Sequence, residues 1–320
     1  MTGTLAIIGG TGFIGRAVAR AADDAGYEPV LLAPDDPKAV PVFAADTTIV
    51  PCDVTEPGSL AVALRTTSPA ALVHLAAYGS GARGLLAGAS DDPQRAVSVN
   101  VGGFVNVVEA AAAAGLDRVV WSSSTTVYGP ASGYGPQPVD ETARLAPQTV
   151  YGATKASAEL LSESLEARTG VRPVALRLPL VYGPGRWYGG SQEGLVGFVR
   201  DVAAGRPARL EADDAVTDWI YITDAATAVL DAVGASPPAR AYNLVGHRGS
   251  LADVGDAVAA HARADAEVVV RSADGLGLPL TDDRAARRDL GFAPRHALMT
   301  AAADYVAATT ADEEHHADTR

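Results

Sequence analysis

The sequence has 320 residues, 48% hydrophobic and 20% charged, so it is long enough to bury a substantial core as one large α/β unit or two unequal lobes. Its formal net charge of -13 opposes binding to nucleic acid and to anionic membranes, which carry charge of the same sign. The single cysteine, Cys52, excludes an internal disulfide, and no Cys/His spacing indicates a metal site, so we expect a cytoplasmic protein without a bound metal.

Neither export nor membrane insertion is expected from the sequence. The first residues lack the basic region and cleavage site of a secretory signal. No run of about eighteen apolar residues is free of charges and turn formers, so we expect no helix long enough to cross a bilayer. Residues 311–320 are polar and charged, which predicts a disordered tail.

Short apolar runs alternate with helical patterns through the first half of the chain. This alternation predicts a doubly wound α/β fold with a parallel sheet and crossover helices over residues 1–179. The expected strands are residues 5–8, 29–32, 71–77, 118–123 and 174–179. The expected helices, rich in alanine and leucine, are residues 16–25, 102–114 and 151–168.

After Pro179 the sequence becomes rich in turn-forming residues. We therefore expect residues 180–310 to form a smaller lobe that closes a substrate pocket. The segment 218–233 has the pattern of a strand followed by a helix, and we expect residues of about 215–235 to return to the first domain.

A glycine-rich turn, GGTGFIG, follows the first predicted strand and leads into the first predicted helix. Gly9 permits a tight turn, Gly12 lets the backbone approach a pyrophosphate, and Gly15 lets helix and strand pack closely. The N-terminus of the helix supplies unpaired N–H groups and a positive dipole. The motif alone is weak evidence, but its place between strand and helix favours a dinucleotide site.

Tyr151 and Lys155 lie four residues apart at the start of a predicted helix, so they share one face. A phenol is a poor base at neutral pH, but a neighbouring ammonium and an oxidised nicotinamide both favour the phenolate. Lowering the phenol's pKa by about three units requires about 4 kcal/mol of differential stabilisation. Tyr151 is thus a candidate proton acceptor.

A run of hydroxyl residues, WSSSTTVYG, ends the predicted fourth strand, where doubly wound sheets bind their ligands. We expect Ser124 to donate a hydrogen bond to the substrate oxygen that exchanges its proton with Tyr151. For Ser122 and Ser123, capping of backbone groups explains the hydroxyl at least as well.

These motifs together resemble the extended short-chain dehydrogenase/reductase family, and most closely its nucleotide-sugar 4-epimerases. The resemblance spans nearly the whole chain and implies a Rossmann domain that binds NAD or NADP. The matching segments occur in the family's order: GGTGFIG, Asp53-Val54, HLAA at 74–77, Asn100, SSSTTVYG, YGATK, LRLPLVYGPG, DWIYITDAATAV, AYNLVG and DDRAARRDLGFAP.

Carried over residue by residue, the resemblance implies a catalytic set of Ser124, Tyr151 and Lys155. Lys155 would also hold the nicotinamide ribose, and Asn100 would chiefly organise backbone and water. His74 is expected to end a strand. The remaining implied cofactor contacts are Gly9, Gly12, Phe13, Ile14 and Gly15 at the pyrophosphate, Asp53 and Val54 at the adenine, Leu75, Ala76, Ala77 and Ser122 along the cofactor, and Pro179 near the nicotinamide.

The usual acidic residue that selects NAD over NADP is absent from this sequence. Ala33 stands where the family has that residue for the adenosine ribose. No arginine is placed to pair with a 2'-phosphate, and Asp35 and Asp36 would repel one. The sequence favours NAD over NADP, with Lys38 as the one local counter-argument.

The substrate is indicated by two departures from the family pattern. The sugar 4,6-dehydratases carry an Asp-Glu pair where this chain has Thr125 and Thr126, so the 4-epimerase form is favoured. Leu180 and Thr217 replace an asparagine and an arginine that often contact a diphosphate, which weakens the expected anion clamp. Candidate substrate contacts are Tyr78, Thr126, Arg186, Trp187 and Arg271, with Tyr188 as a further stacking candidate.

Three functions are compatible with these features. The leading hypothesis is a nucleotide-sugar epimerase; the alternative is a net ketoreductase or dehydrogenase of a sugar or specialised metabolite. A non-catalytic dinucleotide sensor is disfavoured by the complete serine, tyrosine and lysine set. The resemblance also implies a homodimer in which helices near 102–114 and 151–167 pair with their copies.

Overall fold

The structure is a computed structural model that describes residues 3–34, 47–79, 84–186, 190, 192–236, 239–272 and 277–318. The strands within these ranges are β1 (Thr4–Ile8), β2 (Glu28–Ala33), β3 (Thr48–Pro51), β4 (Ala71–His74), β5 (Arg118–Ser124), β6 (Arg172–Leu178), β7 (Leu180–Tyr182), β8 (Ala208–Asp213), β9 (Thr217–Tyr221), β10 (Ala241–Asn243), β11 (His247–Gly249) and β12 (Ala266–Arg271). The α-helices are α1 (Phe13–Asp24), α2 (Pro57–Thr67), α3 (Gly84–Asp91), α4 (Pro93–Val97), α5 (Gly103–Ala113), α6 (Val150–Thr169), α7 (Glu193–Ala203), α8 (Ile222–Gly234), α9 (Leu251–Ala259), α10 (Arg284–Leu290) and α11 (Leu298–Asp318).

In the described part of the chain, seven strands form one sheet in the order β10-β6-β5-β4-β1-β2-β3. Every pairing in this sheet is parallel. The order reverses between β1 and β4, where Ile8 lies opposite His74, and such a reversal opens a ligand crevice at the carboxyl ends of the strands. The predicted doubly wound α/β fold is confirmed.

Apolar side chains cover both faces of this sheet. On one face α1 and α8 pack over residues such as Leu31, with Val18 fully buried between them. On the other face Leu60 of α2 and Phe104 of α5 pack over the inner strands. Strands covered on both sides read as continuous apolar runs, which is why the sequence pattern located β1, β2, β4, β5 and β6.

The second half of the chain does not form one uninterrupted unit. Residues 217–234 are a strand, β9, followed directly by α8, as the sequence pattern predicted. α8 packs on α1, and β10 pairs with β6 at the edge of the main sheet. Two small sheets, β11-β9-β7 and β12-β8, lie outside the main sheet.

Residues 93–113 form a nearly continuous helical stretch, since a π-helical turn at Ser98–Gly102 joins α4 to α5. This stretch is long and apolar enough to cross a membrane, which corrects the expectation that no helix would be. The expectation failed because it required a run without charges or turn formers. The mean hydropathy of this stretch is high despite its few charges. Of its most apolar window, 44% is buried inside the protein, and a core helix of a folded domain meets the same criterion.

α11 spans Leu298–Asp318 and so includes most of the residues for which a disordered tail is expected from the sequence. Its first turns are anchored by Ala301, Ala302 and Tyr305, which are buried against the core. A helix nucleated by packed residues propagates at little cost through an alanine-rich and glutamate-rich sequence.

Candidate active site

The glycine-rich turn lies at the carboxyl end of β1 and faces the start of the loop after β4. Gly9 has φ +76, and a Cβ there would lie 2.6 Å from the backbone nitrogen of Ala76. A Cβ on Gly15 would lie 2.3 Å from the carbonyl oxygen of Gly9. Only glycine fits either position, so the turn keeps backbone surface open to a ligand.

α1 begins at Phe13, three residues earlier than the sequence pattern indicated, with Gly12 as its N-cap. Gly12 makes no side-chain cap hydrogen bond, and the N-terminus of α1 presents its positive dipole at the glycine-rich turn. Because backbone clearance and a positive helix end coincide, the predicted contacts of Gly9, Gly12 and Gly15 fit a dinucleotide pyrophosphate.

The residues predicted to flank the adenine, Asp53 and Val54, follow β3, and three residues predicted to line the cofactor follow β4. Asp53 accepts hydrogen bonds from the Thr55 N–H at 2.8 Å and the Thr55 hydroxyl at 2.7 Å, which lower the pKa of its carboxyl. Val54 is buried against Gly103 at the start of α5. Leu75, Ala76 and Ala77 are half-buried directly after β4. Leu75, Ala76 and Ala77 thus lie beside the crevice where the strand order reverses.

Ser124 is the last residue of β5, at the carboxyl edge of the sheet. Its hydroxyl oxygen accepts hydrogen bonds from the N–H of Thr126 at 3.2 Å and from the Thr126 hydroxyl at 3.0 Å. These contacts orient the Ser124 oxygen and leave its own proton available to a substrate oxygen. Thr126 therefore supports the serine, a role that the sequence did not reveal.

Tyr151 and Lys155 lie in the first two turns of α6, which is capped by the Thr149 hydroxyl. Both side chains are buried, and the Lys155 Nζ atom lies 5.7 Å from the centre of the Tyr151 ring. Lys155 Nζ also donates a 2.6 Å hydrogen bond to the Ser122 carbonyl. The structure thus brings the three predicted catalytic residues to one edge of the sheet.

Burial controls the charge state of this centre. It lowers the pKa of the Lys155 ammonium to about 8, and Glu159, one turn later on α6, opposes that change. It also lowers the pKa of His74 to about 3, with Lys155 contributing, so His74 is neutral. His74 ends β4, as expected.

Asn100 lies in the π-helical turn and is buried. Its amide oxygen accepts a 2.8 Å hydrogen bond from the Tyr78 N–H, and its amide nitrogen donates to the Thr154 hydroxyl at 2.9 Å. Thr154 in turn donates to the Tyr151 carbonyl at 2.7 Å. Asn100 therefore links the loop after β4 to the helix that carries Tyr151.

Sequence reasoning missed a buried ion pair between Glu159 of α6 and Arg177 of β6. The two side chains are 7% and 4% exposed. A signal was present, because Arg177 is a charge inside an apolar strand and Glu159 follows Lys155 by one helical turn. Pro179, predicted near the nicotinamide, is buried between β6 and β7.

The candidate substrate contacts are only partly brought together. Arg186 lies with its guanidinium carbon 5.9 Å from the Phe13 ring centre, beside the glycine-rich turn. Arg271, on β12, is instead engaged by Glu211 of β8 through hydrogen bonds of 2.7 and 3.1 Å, and both side chains are largely exposed. Tyr78 and Thr126 are half-buried near the centre. Asp35, Asp36, Lys38, Trp187 and Tyr188 lie outside the described residues.

Comparison with known proteins agrees with this arrangement. Residues 5–246 match the NAD dependent epimerase/dehydratase family. A UDP-glucose 4-epimerase of Streptomyces lividans is 26% identical over 249 residues, which cover 74% of this chain and 73% of that protein. UDP-glucuronate 4-epimerase 1 of Arabidopsis thaliana is 30% identical over 170 residues, 52% of this chain. The chain spans only 37% of that Arabidopsis protein's length.

Solved structures share the fold over almost the whole chain. The NAD complex of Thermus thermophilus UDP-glucose 4-epimerase superposes with a TM-score of 0.81 at 23% identity, covering 96% of this chain and 98% of that one. L-threonine 3-dehydrogenase of Trypanosoma brucei superposes with a TM-score of 0.82 at 18% identity, covering 95% of both chains. The family match spans well over half of the sequence. The matched residues include the glycine-rich turn of this chain and its Ser124, Tyr151 and Lys155. The chain therefore belongs to the NAD-dependent epimerase/dehydratase family, and it is an NAD-dependent enzyme of the extended short-chain dehydrogenase/reductase type.

Proposed function

We propose that this enzyme is a nucleotide-sugar epimerase acting at the sugar C4 position. The observation that carries the proposal is the placement of Ser124, Tyr151 and Lys155 around one edge of the sheet, next to the crevice at the β1–β4 reversal. The similarity to UDP-glucose and UDP-glucuronate 4-epimerases supports this choice of substrate class.

In this proposal Tyr151 removes the proton of the sugar hydroxyl and later returns it. The nearby Lys155 ammonium favours the phenolate that this step requires. Ser124 donates a hydrogen bond to the reacting oxygen, and Thr126 keeps the Ser124 hydroxyl aligned. NAD bound at the glycine-rich turn would supply the reversible acceptance of hydride from the sugar carbon.

The residues after Ser124 favour epimerisation over elimination of water. Thr125 and Thr126 carry hydroxyls and no carboxylates, and Thr126 is already engaged with Ser124. An elimination needs an acid and a base besides Tyr151, because a proton must leave one carbon while a hydroxyl leaves its neighbour. The proposal therefore assigns no dehydration to this chain.

The test is to incubate the freshly purified protein with UDP-, dTDP-, GDP- and CDP-hexoses without added cofactor and to follow the products by NMR. We expect a 4-epimer of at least one substrate and no net change in the absorbance of reduced nicotinamide, because the reaction is redox-neutral overall. Native mass spectrometry of the same sample should find retained NAD. No epimer from any member of the panel would contradict the proposal.

A second candidate function is a net dehydrogenase or ketoreductase acting on a substrate without a diphosphate. The observation that favours it is the pairing of Arg271 with Glu211, together with Leu180 and Thr217 at two positions of the expected clamp. The fold is shared with L-threonine 3-dehydrogenases. Stoichiometric consumption of NADH with a keto substrate would select this function over epimerisation.

We also propose that the enzyme is a homodimer formed through the outer faces of α5 and α6. Leu160 of α6 is 73% exposed and Leu161 is 36% exposed, while Val97 of the adjacent α4 is 51% exposed. The apolar stretch 93–113 leaves more than half of its most apolar window unburied within one chain. Light scattering at micromolar concentration should give twice the chain mass, and a Leu160→Glu variant should give the mass of one chain.

A further inference from the structure

Two hydrogen bonds join α6 to consecutive residues of β5, directly before the proposed catalytic residue Ser124. Lys155 Nζ donates to the Ser122 carbonyl at 2.6 Å. One helical turn later, the Glu159 carboxylate accepts a hydrogen bond from the Ser123 hydroxyl. The next residue along β5 is Ser124, so these two contacts fix where its hydroxyl lies relative to α6.

Arg177 holds the Glu159 carboxylate from the neighbouring strand. Its Nη2 atom donates to Glu159 at 2.6 Å, and its Nε atom donates to the two carboxylate oxygens at 3.1 and 3.2 Å. Arg177 lies opposite Ser123 in the β5–β6 register, so α6, β5 and β6 meet at one carboxylate. Arg177 Nη1 also donates to the Tyr128 hydroxyl at 2.6 Å, which fixes the segment after Ser124.

A buried ion pair of this kind is weak evidence for stability, because desolvation of two charges offsets much of their attraction. Apolar residues of similar volume would hold the three elements together as well. Apolar residues could supply neither a negative charge beside the Lys155 ammonium nor a hydrogen-bond acceptor for the Ser123 hydroxyl of β5.

We propose that Glu159 is a positioning residue for the reaction: held by Arg177, its carboxylate fixes the Ser123–Ser124 backbone against α6 and keeps the buried Lys155 ammonium charged beside Tyr151. The inference rests on the roles of Ser124, Tyr151 and Lys155 proposed above. Glu159 is buried, and its described contacts are with Ser123 and Arg177.

The Lys155 ammonium faces the Trp121 ring of β5, whose centre lies 5.6 Å from Nζ, and polar groups from three elements. Tyr151 comes from the same helix, the Ser122 carbonyl from β5, and His74 from β4 is neutral. Burial lowers the pKa of Lys155, and Glu159 is the charge that opposes the shift. Arg177 of β6 is turned to Glu159 and neutralises part of its charge.

The sequence makes a direct test possible, since it contains only two lysines, Lys38 and Lys155. Protein labelled with 13C-lysine should give two side-chain Cε signals, and a Lys155→Met variant assigns them. The titration of the Lys155 signal is then followed from pH 6 to 10 in the wild type and in Glu159→Gln. We expect the Lys155 midpoint to fall by about one pH unit in Glu159→Gln, because the opposing carboxylate charge is lost.

Glu166→Gln is the matched control. Glu166 also lies on α6 and pairs with Arg172 of β6 and with Arg240, but at the far end of the helix. It should lower the unfolding temperature without moving the Lys155 midpoint. Glu159→Asp, which keeps the charge, should restore the wild-type midpoint at least in part.

Activity provides a second readout. In Glu159→Gln the high-pH limb of the kcat profile should move down with the Lys155 midpoint, and kcat should fall at least tenfold while KM changes little. A folded Glu159→Gln protein with a wild-type Lys155 midpoint would overturn the inference and leave Glu159 a structural residue. If Glu159→Gln does not fold, the double variant Glu159→Gln/Arg177→Met decides, because it leaves no buried charge unpaired: the inference requires its Lys155 midpoint to fall, and an unmoved midpoint would overturn it.

The NMR titration needs no substrate, so it separates this inference from the proposed function. Absence of epimer in the wild type, together with a lowered midpoint in Glu159→Gln, would overturn the function and retain the positioning role. Epimerisation by the wild type, together with an unchanged Lys155 midpoint in Glu159→Gln, would retain the function and overturn the positioning role.

Discussion

The Nζ atom of Lys155 lies 5.7 Å from the centre of the Tyr151 ring, and both side chains are buried. A cation at this distance from a phenol stabilises its ionised form, and the low local dielectric strengthens the effect. Had the same two residues been exposed, solvent would screen much of their interaction. In the proposed reaction, the neighbouring Lys155 charge is therefore what favours the phenolate of Tyr151.

Tyr151→Phe should reduce turnover by about 100- to 10,000-fold, because it removes the group that exchanges the proton and leaves the ring packing intact. The measurement is kcat for epimerisation, with circular dichroism and NAD retention as checks that the fold and cofactor site persist. Turnover within a factor of two of the wild type would show that another group is the base.

Lys155→Met should alter the pH dependence of stability. Burial lowers the pKa of Lys155 to about 8, whereas unfolded lysine has a pKa of about 10.4, so the unfolded chain binds more protons between these pH values. The free energy of unfolding that Lys155 contributes therefore increases as pH rises from 8 to 10.

Urea unfolding at pH 8, 9 and 10 measures this effect as the wild-type value minus the Lys155→Met value. We expect this difference to rise with pH, by at most about 3 kcal/mol. Tyr128 and Tyr305, whose pKa values burial raises to about 12, are present in both proteins and cancel in the difference. A difference that is flat or falls with pH would contradict the lowered pKa.

Gly15→Ala should disrupt the glycine-rich turn, because the new Cβ would lie 2.3 Å from the Gly9 carbonyl oxygen. Overpacking of this kind costs about 1–3 kcal/mol and displaces the backbone that would approach the pyrophosphate. We expect a lower unfolding temperature and at least about tenfold weaker NAD binding, measured by isothermal titration after removal of bound nucleotide.

The matched substitution is Gly58→Ala in the first turn of α2, where an added Cβ has no heavy atom within 4 Å. It should leave NAD affinity unchanged and stabilise the protein by up to about 1 kcal/mol, since alanine is the better helix former. Equal effects of the two substitutions on NAD binding would argue against a cofactor role for the turn.

Glu211→Gln should show whether Arg271 contacts the substrate of the proposed reaction. It releases Arg271 from an exposed ion pair, which is worth at most about 1 kcal/mol, so stability should change little. If the substrate carries a diphosphate, the freed guanidinium should lower KM for the nucleotide-sugar by a few-fold, and Arg271→Ala should raise it. Unchanged KM in both variants would place Arg271 outside the substrate site.

The local features of the site were predictable from the sequence because each depends on neighbours in the chain. The glycine spacing is set by one turn between β1 and α1, and the side-by-side placement of Tyr151 and Lys155 follows from helical periodicity. The parallel sheet followed from the alternation of apolar runs with helices, since buried parallel strands must be apolar on both faces.

Tertiary structure decided the rest, because it pairs residues that are far apart in the sequence. Glu159 meets Arg177 and Ser123 only when α6 packs on β5 and β6, and Arg271 meets Glu211 only through the β12–β8 pairing. The sequence missed β3 and β10, which are short strands at the two edges of the sheet. The sequence by itself therefore indicated which groups are candidates for the chemistry. The packing of distant segments decided which charges are buried beside those groups and which are held elsewhere, since burial and pairing are properties of the folded chain alone.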